Sequence, residues 1–208
     1  MKLFLSSVSI APKNQAEFVK LVGKKSAHIT VGLIENGADT YPVGRREWVD
    51  RARSMTEAVT PNVTKIDLRD YVGREKELLK ELSRYDVVWV GGGNVFYLRW
   101  LCEELGFNGI IRQLLKRGTI YGGDSAGAIL VCPTIKEFSP ADEPEAAPLR
   151  FNDGLAIVDF VVVPHADHRK YKPLMVDIGK ELVETGHKTY IFNDDQAAIV
   201  NGNMVKIV

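Results

Sequence analysis

"GTIYGGDSAGAILV", residues 118–131, runs from strand-forming residues through a glycine-flanked serine into a small, apolar stretch. A strand, a sharp turn at Ser125 and a helix beginning at Ala126 would satisfy this order. That is the arrangement that presents a nucleophilic serine at the edge of a sheet. Such a turn strains the serine backbone, so nearby positions must be small, and Gly123, Gly127 and Ala128 are small. The helix that follows would aim its free N–H groups at negative charge developing beside the serine. A structural turn explains the glycines equally well, so the rest of the chain has to supply the partners.

Working outward, short apolar runs recur: "LFLSSVSI", "HITVGLI", "VTKIDL", "DVVWVGG", "DFVVVPH" and "TYIFNDDQAAIV". They read as strands. Helical spacing marks "NQAEFVKLVGKK", "GRREWVDRARSMTEAV", "NVFYLRWLCEEL" and "NGIIRQLLKRG". Strands alternating with helices predict an α/β fold, a three-layer sandwich with a mostly parallel central sheet. One domain over residues 1–208 is expected. In such sheets ligands gather at the carboxyl ends of the strands. There the sequence places Gly91-Gly92-Gly93-Asn94, Ser125 and His165. The segment "EFSPADEPEAAPLRFNDGL" interrupts the pattern, and its acids are expected to be solvated in a surface loop or lid.

A serine hydroxyl needs a base. Of His28, His165, His168 and His187, only His165 ends a strand-like run, after Pro164. His168 is the second choice, and His28 and His187 read as surface residues. One oxyanion donor should be the N–H of Ala126, and the glycine turn offers a second at Gly93. A dinucleotide fingerprint starting at Gly91 would need glycine at Phe96, and a phosphate loop would need Gly-Lys-Ser/Thr; neither is present. "IFNDDQAAIV" offers Asp194 or Asp195 as the acid that orients the histidine. If that stretch is extended, only one of the two can face it.

Together these segments resemble the peptidase E family of serine peptidases, the aspartyl dipeptidases. The matching stretches are "VVWVGGGNVFYL", "LLKRGTIYGGDSAGAILVCPTI", "VVVPH" and "NDDQAAIVNG". The resemblance implies a flavodoxin-like, class I glutamine amidotransferase-like fold. It makes Ser125 the nucleophile, His165 the base, Gly93 and Ala126 the oxyanion hole, and Asp194 the acid. It implies cleavage of small peptides, with an N-terminal aspartate preference, and no metal or organic cofactor. Asn94 and Asp124 are candidate substrate contacts. Asp124 departs from the family, whose best-known dipeptidases have a bulky aromatic there. A carboxylate at that place would repel a substrate aspartate or pair with a substrate amino group. Arg150, Arg169 and Lys170 are the cations available to an aspartate side chain. An esterase, an isoaspartyl peptide hydrolase or a non-catalytic binding protein on the same fold are the alternatives.

The bulk properties fit. Lys plus Arg and Asp plus Glu are 27 each. That balance argues against a nucleic-acid or polybasic membrane partner. A small peptide is the expected partner, and a homodimer is compatible with the sequence. Cys102 and Cys132 lie in apolar stretches, so a disulfide framework or zinc site is not expected. The amino-terminal run alternates like a strand rather than a secretory signal, which favours a cytoplasmic location.

Overall fold

The computed structural model describes residues 1–208. Its central sheet has seven strands in the order β3-β2-β4-β5-β1-β8-β9. These are β1 (Lys2–Ser6), β2 (Val31–Ile34), β3 (Val63–Ile66), β4 (Val87–Val90), β5 (Ile120–Asp124), β8 (Ala197–Asn201) and β9 (Met204–Ile207). The first five are mutually parallel, while β8 returns antiparallel to β1 and β9 antiparallel to β8.

Alternation along the strands divides the core in two. Leu3 and Leu5 join a large apolar cluster, whereas Phe4 between them joins a smaller one. Val88 and Val90 likewise face the large cluster, and Val87 and Trp89 the small one. Both faces are therefore covered, which is why "VVWV" is apolar throughout. Helices α3 (Glu75–Leu82), α4 (Val95–Glu104), α5 (Phe107–Lys116), α6 (Ala126–Leu130) and α7 (Lys172–Glu184) line the large cluster. On the other face α1 (Gln15–Val22) contributes Phe18 and Leu21. Between β2 and β3 runs α2 (Glu47–Glu57). The three layers and the mostly parallel central sheet match the expected fold. No helix is long and apolar enough to cross a membrane.

Two expectations change. "DFVVVPH" forms β6 (Val161–Val163) outside the central sheet, paired in parallel with β7 (Thr189–Ile191). The edge beside β1 is occupied by β8, so no place remains there for β6. "TYIFNDDQAAIV" is not one strand but two, β7 and β8, with a turn at residues 192–196. That turn, rather than strand alternation, separates Asp194 from Asp195. The β8–β9 hairpin turns at Gly202, whose φ of 62° suits glycine.

Candidate active site

Ser125 joins β5 to α6 with φ 49° and ψ −117°, a strained conformation for a residue carrying a Cβ. Its N–H donates to the Ser6 carbonyl at 3.1 Å, and its own carbonyl accepts from Ala128 and Ile129 at 3.0 Å each. A Cβ on Gly127 would stand 2.0 Å from the Val90 carbonyl oxygen, so only glycine allows α6 to start this close to β4. The turn thus forms as the spacing of small residues predicts, and it sets Ser125 at the carboxyl end of β5, in the middle of the sheet.

The His165 Nε2 lies 3.0 Å from the Ser125 Oγ, and the Nδ1 lies 2.7 Å from Asp194 Oδ1. An ionised carboxylate only accepts, so Nδ1 carries the proton and Nε2 is left to accept from the serine hydroxyl. His165 also has positive φ, 63°. Its backbone N–H donates to Ser7 Oγ at 2.8 Å, and the Ser7 hydroxyl donates to Asp194 Oδ1 at 3.1 Å. Ser7 therefore ties base and acid to the end of β1, a role the sequence reading missed because "LFLSSVSI" reads as a strand through Ile10, whereas β1 stops at Ser6. Burial alone would raise the Asp194 pKa. The His165 bond and charge, with the Ser7 hydroxyl, outweigh that and hold it below the usual aspartate value. Asp195 points elsewhere, to Lys13 at 2.7 Å.

Neither the Gly93 nor the Ala126 N–H donates to any protein acceptor. Gly93 has φ 129°, and a Cβ there would come within 2.1 Å of the Gly37 carbonyl. Asn94 and Asp124, the candidate substrate contacts, have protein partners of their own, although Asp124 also borders the wider cleft. Asn94 is buried and caps α4: its Oδ1 accepts from the Tyr97 N–H at 2.9 Å and its Nδ2 donates to the Glu143 carbonyl at 2.9 Å. Asp124 is 4% exposed and points inward, accepting from the Trp89 indole at 2.7 Å and the Gly92 N–H at 3.2 Å. Both have their polar atoms engaged by protein.

The acidic segment is not wholly solvated either. Asp142 lines a cavity of about 120 Å³ together with Ser125, His165, Gly93, Tyr41 and Trp48. Its Oδ2 accepts from the Val95 N–H at 2.8 Å, at the positive end of α4. Burial pushes its carboxyl up to about 7 despite that bond and the nearby His165. Burial, with Asp142, Tyr171 and Glu143 nearby, pushes the Tyr41 hydroxyl up to about 12. A wider cleft of about 600 Å³ that also borders Ser125 is lined by Ser7, Arg51, Met55 and His168, among others. Arg150, Arg169 and Lys170 line neither cleft. Cys102 and Cys132 are buried, and burial pushes each thiol up to about 12, so neither is a thiolate near neutral pH.

Comparison with known proteins follows the same lines. The model of peptidase family S51 matches residues 44–208. An uncharacterised peptidase of Pasteurella multocida is 29% identical over 164 residues, 77% of this chain and 76% of that protein. Peptidase E of Escherichia coli is 42% identical over 84 residues, 40% of this chain and 35% of that protein. The crystal structure of a Listeria monocytogenes protein named for peptidase E superposes with a TM-score of 0.83 at 24% identity, covering all of this chain and 97% of that one. A peptidase from an acI-B1 actinobacterium gives a TM-score of 0.65 at 16% identity, covering all of this chain and 86% of the other.

Proposed function

Since this chain belongs to peptidase family S51 and is a serine-type peptidase, we propose that it hydrolyses dipeptides with a free amino terminus, using Ser125 as nucleophile. The observation that carries this reading is the unbroken chain from Ser125 Oγ through the His165 imidazole to Asp194. His165 Nε2 takes the hydroxyl proton as Oγ bonds to the scissile carbonyl carbon. The carbonyl π electrons move onto oxygen, which the Gly93 and Ala126 N–H groups receive. The C–N bond then breaks, and His165 returns its proton to the departing amine. Water repeats the sequence on the acyl-enzyme and frees Ser125. Asp194 keeps the imidazole in the productive tautomer and stabilises it when charged.

The two clefts support the dipeptide reading. Asp142 is the one carboxyl side chain lining the smaller cavity, which has no lysine or arginine. It suits the ammonium of a substrate amino terminus. An N-terminal aspartate would bring a second carboxylate against Asp142, so uncharged N-terminal residues are preferred over aspartate. The wider cleft, lined by Arg51 together with Asp124, Asp167, Asp194 and Asp195, has the room for the leaving amino acid.

Purified protein is assayed on Ala-X, Leu-X, Asp-X and isoaspartyl dipeptides, alongside N-acetylated controls. Cleavage of the free-amine neutral dipeptides, lost in Ser125→Ala and after fluorophosphonate labelling of Ser125, is the expected result. Undiminished turnover in Ser125→Ala would overturn the assignment.

A further inference from the structure

Asp124 is a buried carboxylate beside the proposed nucleophile with no part in the steps above. On β5 it shares a face with Ile120 and Gly122, toward the smaller apolar cluster. A Cβ on Gly122 would stand 2.2 Å from the Trp89 ring, so the missing side chain is what lets the indole lie across β5 and reach Asp124. Both carboxylate oxygens then face N–H donors, Oδ1 the indole at 2.7 Å and Oδ2 the Gly92 amide at 3.2 Å.

The glycine turn has three anchors. The Gly91 N–H donates to the Ile34 carbonyl at 2.8 Å and the Asn94 N–H to the Gly37 carbonyl at 2.9 Å. Between them, Gly92 is held by Asp124 alone, and the Gly93 N–H is unpaired. A Cβ on Gly92 would lie 3.1 Å from the Ser125 Cβ and 3.4 Å from Asp124 Oδ2, so turn, carboxylate and nucleophile are in direct contact. We infer that Asp124 is a positioning residue: the Trp89–Asp124–Gly92 bonds hold the glycine turn so that the Gly93 amide points at the oxyanion formed on Ser125. The inference rests on the assignment of Ser125 and Gly93 above. Burying this carboxylate is unfavourable, since burial pushes its pKa up to about 6 against both hydrogen bonds and the nearby His165. A glycine turn that needs no such anchor could place an apolar residue there.

The test compares wild type, Asp124→Asn and Trp89→Phe. The asparagine offers one acceptor oxygen to two donors and turns its NH2 toward one of them. Kinetics on a dipeptide are read beside inhibition by a peptide aldehyde, whose adduct with Ser125 carries the oxyanion, and by its non-reactive alcohol. In Asp124→Asn, kcat and aldehyde affinity should fall together by about 10- to 100-fold, less than the loss of a whole oxyanion donor. KM and alcohol affinity should stay within about twofold on the same basis. Trp89→Phe should show a smaller fall of the same kind, and it decides the matter if Asp124→Asn does not fold. Unchanged aldehyde affinity, or a rise in KM at constant kcat, overturns the inference. Failure of fluorophosphonate to label Ser125 in wild type instead overturns the nucleophile assignment, so the two failures are separable.

Discussion

Ser125 and His165, whose side chains meet at 3.0 Å, are both held at positive φ, 49° and 63°. Positive φ in a non-glycine residue costs on the order of 1–3 kcal/mol. Ser125→Gly should relieve that strain, whereas Ser125→Ala keeps it. The glycine variant should be more stable than the alanine variant by about 1 kcal/mol, offset in part by the greater freedom of glycine in the unfolded chain. Urea unfolding of the two inactive proteins measures the difference, and equal midpoints would show that the turn is unstrained.

Asp194, not Asp195, should orient the base. Asp194→Asn should lower kcat by about 10³- to 10⁴-fold through loss of the productive tautomer. Asp195→Asn should leave it unchanged, and Ser7→Ala should fall between. The Asp194 pKa is lowered on folding, so its contribution to stability is present above the usual aspartate value and is lost as pH falls through the folded value. Chemical unfolding between pH 2 and 5 should therefore be less pH-dependent in Asp194→Asn, and superimposable profiles would contradict this.

Asp142 should make ammonium binding pH-sensitive. Its carboxyl sits at about 7, so protonation below that value removes the charge offered to a substrate amino group. Inhibition by a non-hydrolysable free-amine dipeptide analogue should weaken as pH drops from 8 to 6. Its N-acetyl counterpart, and any ligand of Asp142→Asn, should not show the trend. The stability linkage has the opposite sign from that of Asp194. With a raised folded pKa, Asp142 stabilises most below the usual aspartate value, and the effect fades as pH rises towards 7.

Two glycines should respond oppositely to alanine. Gly127→Ala drives a Cβ to 2.0 Å from the Val90 carbonyl oxygen, backbone that cannot step aside. A loss of about 3 kcal/mol or more is expected. Gly109, inside α5, has open space within 4 Å and no positive φ. Gly109→Ala should add roughly 0.5–1 kcal/mol through helix propensity and reduced unfolded-state freedom. Thermal melts of the two variants suffice, and similar shifts would refute the packing account.

How much was legible depended on whether a feature was local. The parallel strands, α1, α2, α4, α5 and the serine turn follow from apolar alternation, helical spacing and small residues within a few positions of one another. Helices α3 and α7 and the Gly202 hairpin also carried local signals, Leu78 and Leu82 in the one, Met175, Ile178 and Leu182 in the other, and Asn201-Gly202 in the hairpin. The reading passed over them because charged residues surround the apolar ones or the segment is short. The acidic segment looked solvated because composition says nothing about where a loop lands, and only folding sets Asp142 on the end of α4.

The sequence by itself determined the layered α/β fold, the serine elbow and the identity of its histidine partner, because each is written in residue types a few positions apart. Tertiary structure alone decided that Ser7 links His165 to Asp194 across 158 and 187 positions of chain, that Asp124 turns inward to Trp89, and that Asp142 lines the pocket beside Ser125. The physical reason is common to all three. A polar side chain's role is set by the donor or acceptor it meets, and those partners come from strands and loops distant in sequence that only the packed sheet brings within hydrogen-bond reach.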